Sequence, residues 1–170
     1  MVKMVAILAE DDYEDLELWY PYYRLLEAGH EVKVVGSGRS EVFKSKHGYE
    51  VKAEMSAADA DVNDFDAVII PGGFAPDRLR RASAVNEFVR HMFRQGRLVA
   101  AICHGPSVLV SANVLKGRKV TCFMSIKDDV MNAGARYKDE EVVVDSNLIT
   151  SRSPADLPAF MKAILGALEG

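Results

Sequence analysis

Residues 98–106 read Leu98-Val99-Ala100-Ala101-Ile102-Cys103-His104-Gly105-Pro106. The first five are apolar without alternation, which is typical of a strand buried on both faces, as in a parallel sheet. Small residues stand two positions before and two positions after the cysteine, which is the pattern of a nucleophile elbow. We therefore predict a buried strand, a sharp turn that exposes Cys103, and a helix from about Gly105.

The same alternation of apolar runs and helical periodicities extends along the whole chain. It predicts strands at Met4–Ala9, Glu31–Ser37, Ala67–Ile70, Val120–Phe123, Val142–Val144 and Leu148–Thr150. Apolar residues at spacings of three and four predict helices over Leu16–Leu26, Val85–Phe93 and Leu157–Leu168, with a kink or restart at Pro21 and a cap at Ser153. Residues 36–49 suggest a surface hairpin. Repeated strand–helix units predict an open, mostly parallel α/β sheet with helices on both faces.

Length and charge exclude several classes of protein. The 170 residues fit one domain, residues 1–170, and the net charge of −4 gives no general attraction for phosphates, so nucleic acid is not an expected partner. No apolar run approaches the ~20 residues that cross a membrane, and no signal-peptide pattern is present, so we expect a cytoplasmic protein with no membrane partner.

Cofactor and metal motifs are also missing. Cys103 and Cys122 lack CxxC or zinc-type spacing, and Gly36-Ser37-Gly38 lacks the third glycine of a dinucleotide loop. We therefore expect free thiols, no cofactor and no metal.

Three predicted strand ends carry residues able to do chemistry. Cys103 is the candidate nucleophile, whereas Cys122 has neither histidine nor a glycine turn beside it and is interpreted as a packing residue. Only about 3% of an ordinary thiol is ionised at pH 7, so Cys103 needs a partner. His104 is a candidate base, and its amide is a candidate oxyanion donor. Gly72 and Gly73 either donate amides to a substrate oxygen or serve only the geometry of a turn.

The acids that follow the first strand have two interpretations. They are either a solvated helix start or the source of a buried, protonated carboxyl that hydrogen-bonds the sulfur of Cys103. The candidates are Glu10, Asp11, Asp12, Glu14 and Asp15.

Several separate motifs resemble the DJ-1/PfpI superfamily, and more closely its PfpI-type intracellular proteases and bacterial general-stress relatives. They cover nearly the whole chain in the same order. The motifs are residues 13–18 with Tyr20-Pro21-Tyr22, Lys46-His47-Gly48-Tyr49, Pro71-Gly72-Gly73 with Ala75-Pro76-Asp77, Ala101–Pro106, residues 126–129, Ser151-Arg152 and residues 154–157.

The resemblance implies a flavodoxin-like three-layer sandwich with Cys103 as nucleophile and Glu14 as the carboxyl bonded to its sulfur. It also implies an oxyanion hole made by the amides of Gly73 and His104, and a homo-oligomer, either a dimer or a trimer of dimers. In protease-like members an acid from a neighbouring subunit, usually Glu, completes the site. This chain has the shorter Asp77 at that position.

Three functions remain open at this stage. The first is a cysteine hydrolase, a peptidase or amidase, in which Cys103 attacks a peptide substrate, His104 is the base and a neighbour's Asp77 orients it. The second is a cofactor-independent glyoxalase or deglycase that acts on methylglyoxal-like carbonyls. The third is a redox-sensing stress protein or chaperone in which Cys103 oxidises reversibly.

Overall fold

The computed structural model describes all residues from Met1 to Gly170. The strands are β1 (Met4–Ala9), β2 (Glu31–Gly36), β3 (Val42–Lys44), β4 (Glu50–Lys52), β5 (Met55–Ser56), β6 (Ala67–Ile70), β7 (Leu98–Ile102), β8 (Lys119–Val120), β9 (Arg136–Tyr137), β10 (Val143–Asp145) and β11 (Leu148–Ser151). The helices are α1 (Asp15–Glu27), α2 (Ala75–Leu79), α3 (Ser83–Arg94), α4 (Pro106–Ser111), α5 (Lys127–Asn132) and α6 (Leu157–Glu169).

A seven-stranded sheet in the order β10-β11-β7-β6-β1-β2-β5 forms the centre of the fold. Every neighbouring pair is parallel except β10 and β11, which form an antiparallel hairpin at one edge. The predicted α/β fold with a mostly parallel sheet is confirmed. The outer pairs β3–β4 and β8–β9 form two small separate ribbons.

The helices cover the sheet on both faces. Helix α1 packs beside α6, while α3 packs beside α4. The middle strands β6 and β7 are buried at every position, as their unbroken apolar sequence predicts. No helix is both long enough and apolar enough to span a bilayer.

Three local predictions differ from the structure. Helix α1 continues through Pro21 without a restart, although proline has no N–H to donate to the carbonyl of Glu17. The predicted strand 120–123 shortens to β8, because the Phe123 amide turns away to donate to the carbonyl of Cys103 across 2.9 Å. Ser153 precedes a 3₁₀ turn, and its side chain makes no capping bond.

A hairpin is present, but only its first strand β3 and its turn lie within the predicted residues 36–49, because its second strand is β4 (Glu50–Lys52).

Candidate active site

Three strand ends meet at the carboxyl edge of the sheet. Strands β1, β6 and β7 are neighbours, and the chain order reverses between β1 and β6, where open α/β sheets bind ligands. The segment after β1 is tied to the segment after β6: Phe74 N–H donates to Asp12 O across 2.9 Å, and Glu14 N–H donates to Gly72 O across 3.1 Å. The acids, the glycine pair and the cysteine therefore lie together.

Cys103 stands on the sharp turn that the sequence predicts. Its φ of 62° lies in the left-handed region, which costs a non-glycine residue roughly 1–2 kcal/mol. The turn is held on both sides of the cysteine, because Cys103 N–H donates to Ser151 O across 3.0 Å and Gly105 N–H donates to Ile102 O across 2.8 Å. A Cβ at Gly105 would lie 2.5 Å from the carbonyl of Ile70, so only glycine fits there. The surrounding strands thus impose the strained conformation.

The two glycines after β6 have different partners. The Gly73 and His104 amides both face the Cys103 sulfur and lower the pKa of its thiol. The Gly72 amide instead donates to Glu17 Oε1 across 2.8 Å, so it is already occupied and does not face a substrate oxygen. An oxyanion hole made by the amides of Gly73 and His104 stays a prediction, whereas the amide of Gly72 is bonded to Glu17.

A fully buried carboxyl lies against the sulfur, and it belongs to Glu17. Its Oε1 accepts from Gly72, while its Oε2 has no hydrogen-bond partner. Burial, and then the negative charge of Glu14, raise the pKa of Glu17 to about 8. Glu17 therefore keeps its proton at pH 7 and can share it with the sulfur.

Glu14, which we expected at the sulfur, has a different place. It caps α1, because its Oε2 accepts the amide of Glu17 across 3.0 Å. A carboxylate in that position satisfies a free N–H at the start of the helix. Glu14 still lines the cavity, but the structure places Glu17 at the sulfur.

Cys103 is a thiol at rest. Burial, and then the negative charge of an ionised Glu17, raise its pKa to about 12. At pH 7 Glu17 is protonated, so that repulsion is replaced by a carboxyl proton facing the sulfur. A base must still take the thiol proton at the moment of attack.

His104 is placed to be that base. Its Nδ1 lies 3.3 Å from Cys103 Sγ, although adjacent side chains usually diverge. The ring stacks on Phe123 with centroids 4.9 Å apart, and its Nε2 lies 3.1 Å from Ser125 Oγ. Burial, followed by the positive charge of Lys46, lowers the pKa of His104, so the ring is neutral and able to accept a proton at pH 7.

Asp77 does not meet His104 within the chain. It lies on α2 with its side chain two-thirds exposed, and its carboxylate accepts from Arg81 across 2.5 Å. Within one chain, the hydroxyl of Ser125 lies beside Nε2 of His104, where an acid that orients the ring would lie.

A cavity of about 210 Å³ opens over the sulfur. Its volume suits a molecule of a few heavy atoms or the end of a longer one. No group of three or more His, Cys, Asp or Glu side chains is arranged to hold a metal ion. The lining residues are Glu14, Glu17, Lys46, Gly73, Phe74, Cys103, His104, Phe123, Ser153 and Pro154.

The family model described as the DJ-1/PfpI family matches residues 3–167. The chain belongs to the DJ-1/PfpI family. It is 46% identical over 165 residues to "Deglycase PfpI" of Pyrococcus furiosus, covering 97% of this chain and 99% of that protein. It is 43% identical over 169 residues to "Putative cysteine protease YraA" of Bacillus subtilis, covering 99% of this chain and 100% of that protein.

Solved structures of the family share the fold. A two-domain protein of Anabaena variabilis, with DJ-1/ThiJ/PfpI-like and ferritin-like domains, has a TM-score of 0.96 and 49% identity. The match covers 98% of this chain and 48% of that longer one. Drosophila melanogaster DJ-1beta has a TM-score of 0.90 and 31% identity, covering 96% of this chain and 89% of that one. The flavodoxin-like layering expected from the family is confirmed.

Three polar residues of the cavity were not predicted as site residues from the sequence: Glu17, Lys46 and Ser153. For Glu17 a signal exists, because it continues the buried i, i+4 stripe of α1 formed by Pro21 and Leu25. An acid within a buried stripe indicates a special role. Lys46 and Ser153 give no such signal, since each lies in a loop.

Proposed function

We propose that this chain is a cofactor-independent, cysteine-dependent enzyme that converts α-oxoaldehydes such as methylglyoxal and releases amines from their adducts. The observation that best supports this proposal is the buried, protonated carboxyl of Glu17 beside the thiol of Cys103. The neutral His104 completes the arrangement, with its Nδ1 3.3 Å from Cys103 Sγ. Acid, nucleophile and base are the groups that carbonyl addition needs. The name of the Pyrococcus furiosus relative, a deglycase at 46% identity, supports the same chemistry.

In the first step Cys103 Sγ bonds to the aldehyde carbon as Nδ1 of His104 takes the thiol proton. The carbonyl oxygen gains the electron pair, faces the amides of Gly73 and His104, and takes a proton from Glu17 to give a hemithioacetal. In an amine adduct, Sγ bonds to the carbinol carbon and the carbon–nitrogen bond breaks. The leaving nitrogen takes the proton of Glu17, and the amine is released.

The second step moves hydrogen between neighbouring carbons. The carboxylate of Glu17 removes the proton from the carbon bonded to sulfur, His104 gives the proton it took from the thiol to the neighbouring carbonyl oxygen, and an enediol forms. Protonation of the next carbon gives a 2-hydroxy thioester, and water then breaks the carbon–sulfur bond. One carbon is oxidised and its neighbour reduced, so methylglyoxal and water give lactate and a proton with no external oxidant.

A direct test follows lactate and released amine from methylglyoxal and from its adduct with an amino acid amine. We expect Cys103→Ser to lower both rates by more than about 10³-fold, because the nucleophile is lost. Cys122→Ser is the matched control, since Cys122 is also a buried free thiol but lies outside the cavity. Lactate formation at the parent rate by Cys103→Ser would refute the proposal.

A peptidase or amidase is the second candidate. It is favoured by the contact of 3.3 Å between His104 and Cys103, and by the name of the Bacillus subtilis relative. This function needs an acid on His104, which we assign to Asp77 of a neighbouring subunit in a homo-oligomer.

The test of the second candidate is cleavage of small peptide amides by the parent and by Asp77→Asn, with light scattering for the assembly. Cleavage that Asp77→Asn abolishes, while the oligomer persists, supports it. Lactate formation without any peptide cleavage excludes it.

A further inference from the structure

Lys46 is a cation that lines the cavity, and the proposed reaction assigns it no role. Its side chain lines the same cavity as Cys103 and His104, and no carboxylate lies within ion-pair distance of its ammonium group. Lys46 lowers the pKa of Glu17, Cys103 and His104, so its charge acts on all three groups around the sulfur. An unpaired ammonium at this place is available to a ligand.

The turn that carries Lys46 is fastened to the start of α1. Asp15 accepts the Ser45 hydroxyl across 2.6 Å and lies 2.8 Å from His47 Nδ1, so it holds the residues on both sides of Lys46. The Lys46 amide itself donates to Tyr13 O across 2.9 Å. The backbone of this lysine is thereby fixed relative to the helix that carries Glu17.

Lys46 is the only lysine or arginine among the cavity-lining residues. His104 is neutral and Glu17 keeps its proton, for the reasons given above. Glu14 is ionisable too, but its carboxylate is bonded to the Glu17 amide at the N-terminus of α1. The ammonium group is therefore left to attract an anion from solution.

Ser153 adds an uncharged donor to the same cavity. Its hydroxyl makes no hydrogen bond within the chain, because it does not cap the turn that follows it. An ammonium and a hydroxyl together suit the two oxygens of a carboxylate. The ammonium donates a charge-assisted hydrogen bond to one oxygen, and the hydroxyl donates an ordinary hydrogen bond to the other.

We propose that Lys46, aided by Ser153, binds a ligand carboxylate, and that small 2-hydroxy and 2-oxo carboxylates are the class this part of the cavity recognises. The lactate that the proposed function forms belongs to this class, and only that link rests on the proposed function. The carboxylate is held by two side chains of the cavity, Lys46 and Ser153, that take no part in the proposed reaction. The product consequently competes with substrate for the cavity.

The test measures binding without turnover. Cys103→Ser protein is titrated with DL-lactate and glycolate, and with the uncharged lactamide and glycolamide, by calorimetry and by amide NMR shifts. We expect lactate to bind at least about 10-fold more tightly than lactamide, because one charge-assisted bond is worth about 1.4 kcal/mol or more. Adding Lys46→Gln should remove that preference while leaving the affinity for lactamide unchanged.

Matched variants separate a local contact from general charge. Lys52→Gln removes the same charge from β4, outside the cavity, and should keep the lactate preference. Lys46→Arg should retain most of the preference, and Ser153→Ala should reduce it by about 3-fold. Equal binding of lactate and lactamide by the parent, or a lactate affinity unchanged by Lys46→Gln, would overturn the proposal. Because no catalysis is measured, failure here leaves the lactate-formation test of the proposed function untouched.

Discussion

The backbone N–H of Gly72 donates to Oε1 of Glu17 across 2.8 Å. This bond joins the glycine turn after β6 to helix α1 and fixes the orientation of the buried carboxyl. Oε2 of Glu17 has no hydrogen-bond partner, and the carboxyl lies beside Cys103. The glycine that we expected to bind an oxyanion thus serves the acid instead.

Glu17→Gln tests the role of the acidic proton. Glutamine keeps an acceptor for Gly72 but cannot give up a proton, so we expect the fold to persist and kcat for lactate formation to fall by about 10²–10⁴-fold. Circular dichroism melting checks the fold. Glu27→Gln, at the exposed end of α1, is the control and should retain full activity. A fully active Glu17→Gln protein would contradict the assignment.

The raised pKa of Glu17 predicts how stability depends on pH. Between its ordinary value of 4.5 and about 8, the unfolded chain has lost the proton while the folded chain keeps it. The folded state binds more protons there, so the contribution of Glu17 is greatest below pH 4.5 and is lost as pH rises through 8. The loss amounts to at most roughly 5 kcal/mol.

Urea unfolding of the parent and Glu17→Gln at pH 5, 6.5 and 8 measures this contribution. From pH 5 to pH 8 the unfolding free energy of the parent should fall by several kcal/mol relative to that of Glu17→Gln. The thiol of Cys103 does not interfere, because its raised pKa of about 12 acts only at higher pH. Parallel curves for the two proteins would show that Glu17 ionises normally.

Gly73→Ala and Gly96→Ala form a matched pair. Both glycines have positive φ, 80° and 73°, so alanine strains both backbones by about 1 kcal/mol. At Gly96 a Cβ meets nothing within 4 Å, whereas at Gly73 it lies 2.5 Å from Asp12 O and from Glu14 N. We expect Gly96→Ala to stay active and Gly73→Ala to lose about 10²–10³-fold in kcat, as its amide shifts from the sulfur.

Denaturant unfolding should also show Gly73→Ala to be the less stable of the two variants. Equal activity in both would argue against an oxyanion role for the Gly73 amide.

An aromatic face on α1 predicts association. Leu16 and Tyr23 are more than half exposed and line a hollow of about 730 Å³ with Trp19, Tyr20 and Leu26. An apolar face of this kind is typical of an interface. We expect the parent to be an oligomer by light scattering and Tyr23→Glu to shift it towards monomer. Met131→Glu, at an exposed methionine of α5, is the control; a monomeric parent would contradict the prediction.

The buried strands and the elbow were predictable because they depend on local sequence. The runs Met4–Ala9, Ala67–Ile70 and Leu98–Ile102 are strands with the predicted bounds, since strands buried on both faces are apolar throughout. The turn at Cys103 follows from the small residues around it. Both features need no knowledge of distant parts of the chain.

The partners of the sulfur could not be predicted in the same way. Choosing between Glu14 and Glu17 requires the rotation of α1 against β6, which a contact 55 residues apart in sequence fixes. The contact between His104 and Cys103 depends on the positive φ of the cysteine, and the sequence alone does not set it. Lys46 lies at the cavity on a turn that Asp15 and Tyr13 fasten to the start of α1.

The residues around the sulfur come from two separate parts of the fold. The reacting groups Glu17, Gly73 and Cys103 come from the layers around the central sheet, whereas Lys46 comes from the hairpin β3–β4 outside it. Because Lys46 also lowers the pKa of Glu17, Cys103 and His104, we expect an exchange of residues 45–49 to change both which molecules bind and how fast they react. One side chain from outside the central sheet would thus couple selectivity to reactivity.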